Sequence, residues 1–253
     1  MDKPKQYIQG WVEFYKLRFK VTPDVLIPRP ETELLVDAVL DFLKTHPKST
    51  ILDLGTGAGN IAISIARNLR GHPWGGKLKI IATDISREAL KVAQKNAKLH
   101  GVDEKIVFLE SDLLSTFRHP GRKAELAPLD SRSINIDSDF RQNDNLVIVT
   151  NLPYIPTERI PYLDSSVKDY EPHIALDGGP DGFELYRKLF AQLKEKGWKP
   201  KLILGEIDYT HGQIAYDEAT NFFPDAQVEV KTDLAHKQRI LIITHQEALL
   251  RRL

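Results

Sequence analysis

A glycine-rich turn between an apolar run and a helical pattern constrains the fold of this chain more than any other feature. Residues 53–59 read Asp-Leu-Gly-Thr-Gly-Ala-Gly, after the apolar pair Ile51 and Leu52 and before a helical pattern over residues 61–69. The pattern predicts a strand, a tight turn and a helix, with N–H groups at the helix N-terminus that a ligand can approach closely. Such turns bind dinucleotides or phosphates and also serve as ordinary chain reversals. The turn alone therefore indicates an α/β fold with a nucleotide-like ligand.

Two further strands end in side chains suited to a nucleoside and to a planar group. The apolar run 80–83 is followed by Asp84, and a carboxylate at a strand end can accept hydrogen bonds from both hydroxyls of a ribose. The apolar run 146–149 leads into Asn151, Leu152, Pro153 and Tyr154. An amide, a proline and an aromatic ring at the end of a strand predict a site for a planar substrate group.

The composition limits the class of protein. Lys and Arg number 35, as do Asp and Glu, so the net charge is zero and gives no general attraction for nucleic acid or a membrane surface. A zero net charge does not exclude a local groove lined by basic residues. The absence of cysteine excludes disulfides, cysteine nucleophiles and thiolate metal sites. The N-terminus has no apolar signal-peptide core, and no run of about 18 apolar residues is present. We expect a cytoplasmic protein without a bound metal and without a membrane partner.

The order of the remaining patterns predicts one large domain with a short N-terminal addition. Apolar and polar residues alternate over residues 15–21, which predicts that residues 1–27 contain a β-hairpin packed on the main domain. Residues 28–253 alternate strand and helix, as a doubly wound parallel sheet requires. The loop between the two last strands is short, which makes that pair antiparallel. The polar residues 118–145 lack periodicity and are interpreted as a surface insertion.

Six motifs, taken in order, resemble those of release-factor glutamine methyltransferases of the HemK type. They cover nearly the whole chain, and their agreement is specific because each motif alone is weak. They are residues 26–33, residues 53–59, Asp84, Asn151 to Tyr154, residues 171–176 and residues 178–182. The resemblance implies a class I methyltransferase fold, which is a Rossmann-like α/β fold. Its seven-stranded, mostly parallel sheet has helices on both faces and an antiparallel last strand, and here the small hairpin precedes it.

The resemblance also implies a reaction and the residues that carry it. The family uses S-adenosylmethionine to methylate the side-chain amide nitrogen of the glutamine in the Gly-Gly-Gln loop of peptide-chain release factors. A release factor is therefore the expected partner. The residues implied in cofactor binding are Gly55, Thr56, Gly57, Ala58 and Gly59 at the methionine end, Asp84 at the ribose, Asp112 and Leu113 at the adenine, and Asn151. Those implied in substrate binding are Asn151, Leu152, Pro153 and Tyr154, of which Asn151, Pro153 and Tyr154 are catalytic.

Simple chemistry makes the role of the Asn151 segment reasonable. An amide nitrogen is a poor nucleophile because its lone pair is delocalised, so the site must orient the amide and exclude water. Asn151 Oδ1 can accept one amide hydrogen, and a backbone carbonyl of the Leu152-Pro153 segment can accept the other. Both acceptors favour the positive charge that develops on the nitrogen. Tyr154 is expected to pack on the amide or to close the pocket, and no general base is needed before methyl transfer.

Several neighbouring side chains keep a second interpretation. Asp53 is expected to cap or orient the glycine turn rather than to touch the cofactor. Asp112 caps the turn that follows it as readily as it flanks an adenine. Arg29, held extended between two prolines, is either a structural tether or a neighbour of the cofactor carboxylate. Glu171 and His173 are interpreted as a loop pair without chemistry.

This chain departs from the family pattern in two places. Leu152 stands where the family usually has proline; it still precedes Pro153 and stays biased to extended geometry, so we expect activity to survive. The family usually begins with a helical domain that helps to hold the release factor, whereas this chain begins almost at the hairpin.

Other functions fit part of the same pattern. A nucleic-acid adenine methyltransferase can use such a segment on an exocyclic amine, with Tyr154 stacked on a flipped base, although zero net charge argues against a nucleic-acid partner. A glutamine methyltransferase of a ribosomal protein needs the same chemistry. A cofactor-binding scaffold without catalysis is the third alternative. In each case we expect a monomer.

Overall fold

The N-terminal elements form a small unit ahead of the main sheet. The protein is described from a computed structural model, which covers residues 3–72, 78–117 and 145–245. A short helix, α1 (Lys5–Gln9), is followed by the strands β1 (Trp11–Phe14) and β2 (Leu17–Lys20). β1 and β2 pair antiparallel, which confirms the predicted hairpin. The sequence does not predict α1, because five residues are too few to show a helical period.

The described part of the chain forms a seven-stranded main sheet. Its strands are β3 (Thr50–Leu54), β4 (Lys79–Asp84), β5 (Ile106–Glu110), β6 (Leu146–Thr150), β7 (Leu202–Glu206), β8 (Ala226–Thr232) and β9 (Gln238–His245). They lie in the order β5-β4-β3-β6-β7-β9-β8. The pairs among β3 to β7 are parallel, and β9 is antiparallel to both of its neighbours. The predicted fold, with its antiparallel last strand, is therefore confirmed.

Helices cover both faces of this sheet. They are α2 (Glu33–Thr45), α3 (Asn60–Asn68), α4 (Arg87–Leu99), α6 (Glu184–Lys196) and α7 (Gly212–Phe222), whereas the four-residue helix α5 (Ser165–Lys168), between β6 and β7 in the chain, has no buried residue. Successive strand side chains point to opposite faces, so Ile51 packs in one buried cluster with α2, α3 and α4, and Leu52 packs in a second cluster with α6 and α7. Phe14 and Phe19 of the hairpin belong to the first cluster, which fastens the N-terminal unit to the domain.

The strand order reverses between β3 and β6, and this reversal places the site. From β3 the chain passes through β4 to β5 on one side, whereas β6 pairs on the other side of β3. In an open α/β sheet, a crevice forms outside the carboxyl ends of the strands where the order reverses. The glycine turn follows β3, Asp84 ends β4 and Asn151 follows β6, so the topology brings the three sequence signals to one crevice.

The segments around the sheet qualify some of the expectations. Arg29 is extended, with φ −99° and ψ 146°, as predicted, but Pro30 opens a short 3-10 helix, Pro30–Thr32, because proline is accepted in a first turn. Of the predicted insertion at residues 118–145, all but residue 145 lies outside the described residues, so the insertion stays a prediction. No helix within the described ranges is both long and apolar enough to cross a membrane.

Candidate active site

The glycine turn lines a cavity of about 220 Å³ at the strand reversal. Gly55 and Gly57 have φ values of +68° and +53°, a conformation that residues with a side chain rarely adopt. A Cβ atom built on Gly57 has no atom within 4 Å, and one built on Gly55 meets only Leu152 Cδ2, at 3.5 Å. Both glycines therefore leave open space above the turn that a side chain would fill. Most of the predicted site residues line this cavity: Gly55, Thr56, Gly57, Ala58, Asp84, Asp112, Leu113, Asn151, Leu152 and Pro153.

Asp53 holds the turn from below and has no surface exposed to the cavity. Its side chain is completely buried. Asp53 Oδ2 accepts hydrogen bonds from Thr56 Oγ1 at 2.7 Å and from the N–H of Ala62 at 3.1 Å. Burial disfavours the charged carboxylate and raises the pKa of Asp53 to about 7. The expectation that Asp53 orients the turn is confirmed.

Asp84 joins the turn to the end of β4. Its Oδ2 accepts from the N–H of Gly57 at 2.8 Å, and its Oδ1 accepts from the N–H of Ser86 at 2.8 Å. Burial raises the pKa of Asp84 above its ordinary value, while these backbone hydrogen bonds act in the opposite direction. A carboxylate has about four acceptor positions, so two remain for a ligand after the backbone is satisfied.

Gly59 supports the turn but does not line the cavity. It precedes α3 with φ +82°. A Cβ atom at Gly59 would lie 2.7 Å from Ile63 Cδ1 and 3.1 Å from Ala93 Cβ. The third glycine is therefore needed for close packing between α3 and α4, which differs from the predicted contact with the cofactor.

The far wall of the cavity combines an apolar residue with an ion pair. Leu113 takes the unusual φ of +52°, and Ser111 Oγ donates to its carbonyl oxygen at 2.7 Å. Asp112 Oδ2 accepts from Lys188 Nζ at 2.5 Å, and Lys188 also lines the cavity. Asp112 was expected either to cap the following turn or to flank an adenine. Neither expectation included an ion pair with Lys188, which lies 76 residues away in the chain.

Asn151 is held in one orientation by a buried polar network. Its Nδ2 donates to Thr32 Oγ1 at 3.1 Å, and Thr32 Oγ1 donates to Glu206 Oε2 at 2.6 Å. Glu206 is the last residue of β7 and is buried, which raises the pKa of its carboxyl group. Sequence reasoning missed Thr32 and Glu206. Glu206 could have been found, because it ends an apolar strand of the same parallel sheet in the same way as Asp84.

Tyr154 joins the same network through its hydroxyl group. Its hydroxyl donates to Glu206 Oε1 at 3.1 Å, and burial raises its pKa. Leu152 and Pro153 line the cavity, whereas the Tyr154 side chain is not part of the described lining. Packing of the Tyr154 ring on a substrate amide, as the sequence predicted, is therefore not seen in this structure.

The glycines of residues 178–182 lie under the segment that carries Tyr154. A Cβ atom at Gly178 would lie 2.7 Å from Tyr154 Cα, and one at Gly182 would lie 2.3 Å from the Tyr154 carbonyl oxygen. Gly178 N–H also donates to the carbonyl of Ile155 at 2.9 Å. The motif therefore serves close backbone packing that holds the segment after β6 in place.

An ion pair ties together two segments on the rim of the cavity. Arg29 donates to Glu171 Oε1, and Glu171 Oε2 accepts from the N–H of Ile27 at 3.1 Å. The Glu171 side chain is 1% exposed and that of Arg29 is 33% exposed. The proposed pairing of Glu171 with His173 is wrong: His173 Nδ1 instead lies 4.0 Å from Asp177 Oδ2. Arg29 is a tether that also lines the cavity.

The site holds carboxylates, amides and backbone N–H groups rather than a metal centre. Within residues 3–72, 78–117 and 145–245, no group of three or more His, Cys, Asp or Glu residues is arranged to hold a metal ion. The arrangement can place a nucleoside at Asp84 and a planar amide at Asn151, on opposite sides of the glycine turn.

Solved structures support the fold. The catalytic domain of hMettl16, in complex with a MAT2A 3′UTR hairpin, superposes with a TM-score of 0.62 at 13% identity, over 92% of this chain and 77% of that chain. The N-terminal domain of human METTL16 in complex with SAH superposes with a TM-score of 0.55 at 12% identity, over 91% of this chain and 76% of that chain. At this level of identity the likeness concerns the fold alone.

Sequence comparison identifies the family. A family model described as a methyltransferase domain matches residues 45–120. The release factor glutamine methyltransferase of Moorella thermoacetica is 38% identical over 247 residues, which are 96% of this chain and 76% of that protein. The corresponding protein of Bacillus cereus is 34% identical over 241 residues, 94% of this chain and 75% of that protein. This chain therefore belongs to the release factor glutamine methyltransferase family.

Proposed function

We propose that this protein transfers a methyl group from S-adenosylmethionine to the side-chain amide nitrogen of a glutamine in a peptide-chain release factor. The target is the glutamine of the Gly-Gly-Gln loop. The observation that carries this proposal is the amide of Asn151, held in one orientation at the edge of the cavity beside the glycine turn. Membership of the family supports the substrate.

The residues of the cavity suit the proposed cofactor. The open space above Gly55 and Gly57 suits a ligand in close contact with the backbone. Asp84 keeps two acceptor positions for ribose hydroxyls, and Leu113 offers an apolar surface for an adenine ring. Arg29 lies on the rim with a third of its side chain exposed, where it can meet a carboxylate. When bound, S-adenosylmethionine supplies an electrophilic methyl group on a positively charged sulfur.

Asn151 orients the substrate amide in the proposed reaction. Because Nδ2 is bound to Thr32, Oδ1 is the end that can accept a hydrogen from the substrate amide. A backbone carbonyl of the Leu152-Pro153 segment accepts the second hydrogen. Two acceptors would turn the nitrogen toward the methyl group that S-adenosylmethionine supplies, and they stabilise the positive charge that grows on the nitrogen.

The proton leaves the nitrogen after methyl transfer. Once the nitrogen has accepted the methyl group it carries a positive charge and both of its protons; such a cation is strongly acidic and loses one proton to solvent, so no positioned base is needed to remove a proton in advance. The buried carboxyl of Glu206 is already bonded to Thr32 and Tyr154, which suits a structural rather than a proton-accepting role. Pro153 holds the segment extended, and Tyr154 anchors it through Glu206.

The partner is proposed to be a protein and not a nucleic acid or a membrane. Equal numbers of basic and acidic residues, 35 each, give no excess positive charge for a phosphate backbone. We further propose that the protein works as a monomer in the cytoplasm, with residues 1–27 as a unit packed on a methyltransferase domain of residues 28–253. Light scattering of the purified protein tests the monomer directly.

Mass spectrometry tests the reaction. A purified release factor is incubated with S-adenosylmethionine and either the protein, its Asn151→Ala variant or its Asn221→Ala variant. Asn221 is an exposed asparagine on α7, away from the cavity lining, and serves as the matched control. We expect one methyl group on the Gly-Gly-Gln glutamine with the protein and with Asn221→Ala, and a loss of roughly 100-fold or more in rate with Asn151→Ala.

The alternative outcomes are informative. Binding of S-adenosylhomocysteine without methylation of the release factor would exclude the proposed substrate and favour a ribosomal protein or a scaffold role. Equal activity of Asn151→Ala and Asn221→Ala would remove Asn151 from the reaction. A methyl group on a residue other than glutamine would overturn the proposed chemistry.

A further inference from the structure

Thr32 and Glu206 form a buried pair next to Asn151 that the reaction does not use directly. Each is 1% exposed. Glu206 Oε2 accepts from Thr32 Oγ1 at 2.6 Å, and the same Thr32 oxygen accepts from Asn151 Nδ2 at 3.1 Å. The three side chains therefore form a hydrogen-bonded chain that runs from the cavity into the interior.

The position of Thr32 shows that its hydroxyl is not needed by the local backbone. Thr32 occupies the N-cap position of α2, where a threonine hydroxyl ordinarily accepts from an N–H of the first turn. Here the side chain makes no such capping bond. The hydroxyl instead reaches Glu206, 174 residues later in the chain.

The end of β7 does not depend on the Glu206 side chain either. Tyr186 Oη donates to the Glu206 carbonyl oxygen at 2.5 Å, and β7 pairs with β6 on one side and β9 on the other. The strand is therefore held through its backbone. The buried carboxyl group is directed at two hydroxyls, those of Thr32 and Tyr154.

The direction of the Thr32 proton decides which end of the Asn151 amide is free. The hydroxyl of Thr32 has one proton to donate, and Glu206 Oε2 accepts it at 2.6 Å. With its proton committed to Glu206, Thr32 can offer Asn151 only a lone pair, so Asn151 must present its NH₂ group to Thr32. We propose that Thr32, held by Glu206, is a positioning residue that keeps Asn151 Oδ1 free to accept from the substrate amide.

The orientation of the Asn151 amide should affect methyl transfer to the substrate rather than binding of the cofactor. If the Asn151 amide rotated so that Oδ1 and Nδ2 exchanged places, its NH₂ group would face the NH₂ group of the substrate glutamine. Two donors cannot bond to each other. This step rests on the reaction proposed above. The orientation of the Asn151 amide itself does not, because it follows from Thr32 and Glu206.

Two substitutions of Thr32 separate its hydroxyl from its size. Thr32→Val keeps the shape but can neither donate nor accept, whereas Thr32→Ser keeps the hydroxyl. We expect Thr32→Val to lower kcat for release-factor methylation roughly 100-fold, with affinity for S-adenosylhomocysteine changed by less than about threefold. Thr32→Ser should retain kcat to within about fivefold, because the chain of hydrogen bonds survives.

A double substitution tests the link to Glu206. The comparison is made in a Tyr154→Phe background, because Glu206 also holds Tyr154: if Glu206 acts through Thr32, Glu206→Met lowers kcat there when Thr32 is present but adds little beside Thr32→Val. Losses that simply multiply would show that Glu206 acts by another route and would overturn its part in the proposal. Thermal unfolding of every variant is measured beside kcat. If Glu206→Met fails to fold, the comparison of Thr32→Val with Thr32→Ser still tests the role of Thr32.

Nuclear magnetic resonance tests the orientation without any substrate. The side-chain amide of Asn151 is assigned by its absence from an Asn151→Ala spectrum, in the presence of S-adenosylhomocysteine. We expect its hydrogen-bonded proton to shift upfield in Thr32→Val and to stay in place in Thr32→Ser. An unchanged resonance and an unchanged kcat in Thr32→Val would overturn the proposal. If the native protein does not methylate a release factor, the proposed function is wrong. The spectrum still tests whether Thr32 orients the Asn151 amide, because it needs no substrate.

Discussion

The two oxygens of Asp84 bond to the backbone N–H groups of Gly57 and Ser86, which both line the cavity, and this makes Asp84 sensitive to substitution. In Asp84→Asn only one oxygen remains, so the amide NH₂ group must face either Gly57 N–H or Ser86 N–H. One hydrogen bond to a charged acceptor contributes about 1.5–3 kcal/mol. We therefore expect affinity for S-adenosylhomocysteine to fall roughly 10- to 100-fold, measured by isothermal titration calorimetry.

Asp41→Asn is the control for this change. Asp41 lies on α2 with its side chain 73% exposed, and it pairs with Lys44 at the surface. Its substitution should leave the affinity unchanged. An Asp84→Asn protein that binds as tightly as Asp41→Asn would show that Asp84 does not contact the ligand.

At the residue scale, the sequence located strand-end residues well and their partners poorly. Asp84 and Asn151 were found because each follows an apolar run, and parallel strands bring such ends together. Thr32 and Lys188 were not found from the sequence, because their partners are distant in the chain. Thr32 bonds to Glu206, 174 residues away, and Lys188 bonds to Asp112, 76 residues away. The direction of the Tyr154 side chain was also beyond the sequence, because it depends on how the backbone packs over Gly178 and Gly182.

The packing of α3 against α4 depends on the absence of a side chain at Gly59. Gly59 and Gly71 share the same φ of +82°, but a Cβ atom at Gly71 meets nothing within 4 Å. Gly71→Ala should therefore lower the free energy of unfolding only by the conformational strain of a side chain at positive φ, about 1–2 kcal/mol. Gly59→Ala adds overlap with Ile63 and Ala93 and should lose roughly 1–3 kcal/mol more in free energy of unfolding.

Urea denaturation of the two variants measures this difference. Because φ is the same at both glycines, subtracting one loss from the other isolates the crowding between the helices. Equal losses for Gly59→Ala and Gly71→Ala would mean that α3 and α4 separate without cost.

At the element scale, strands and long helices were predicted to within one or two residues at most ends, because their apolar periods are strong. The apolar run 146–149 lies within β6, and α3 differs by one residue at each end from the helical pattern over residues 61–69. The short elements were missed. Both α1 and the 3-10 helix Pro30–Thr32 are too short to show apolar residues recurring at i, i+3, i+4 and i+7.

The stability of the whole molecule should depend on pH through Asp53. Burial raises the pKa of Asp53 in the native state to about 7, whereas an unfolded aspartate titrates near pH 4, at about 3.9. Between these values the native state holds a proton that the unfolded state releases. Stability therefore falls as pH rises through this window, by roughly 1.4 kcal/mol for each unit of the shift at most.

Asp53→Asn tests this linkage. The variant keeps an oxygen for Thr56 and Ala62 but does not titrate, so its free energy of unfolding should lose that part of the slope between about pH 4 and pH 7. Urea midpoints at several pH values measure it. Parallel curves for the native protein and Asp53→Asn would show that Asp53 is not the group responsible.

At the scale of the molecule, the alternation of strand and helix predicted a parallel sheet, and the short last connection predicted the antiparallel pair. The strand order was not predicted, because apolar runs do not show which strands become neighbours in the sheet. Two strands buried on both faces, β6 and β7, look alike in sequence and are distinguished only by their place in the sheet.

The hydrogen bond between Thr32 and Glu206 also bears on the order of events when the chain folds. It closes a loop of 174 residues, and contacts of such long range form late because the entropy of loop closure opposes them. During synthesis, residues 33–72 can already attempt their strand and helix while the acceptor for Thr32 does not yet exist. A nascent chain can therefore form its glycine turn well before it acquires an oriented Asn151, so catalytic competence must wait until β7 has been synthesised.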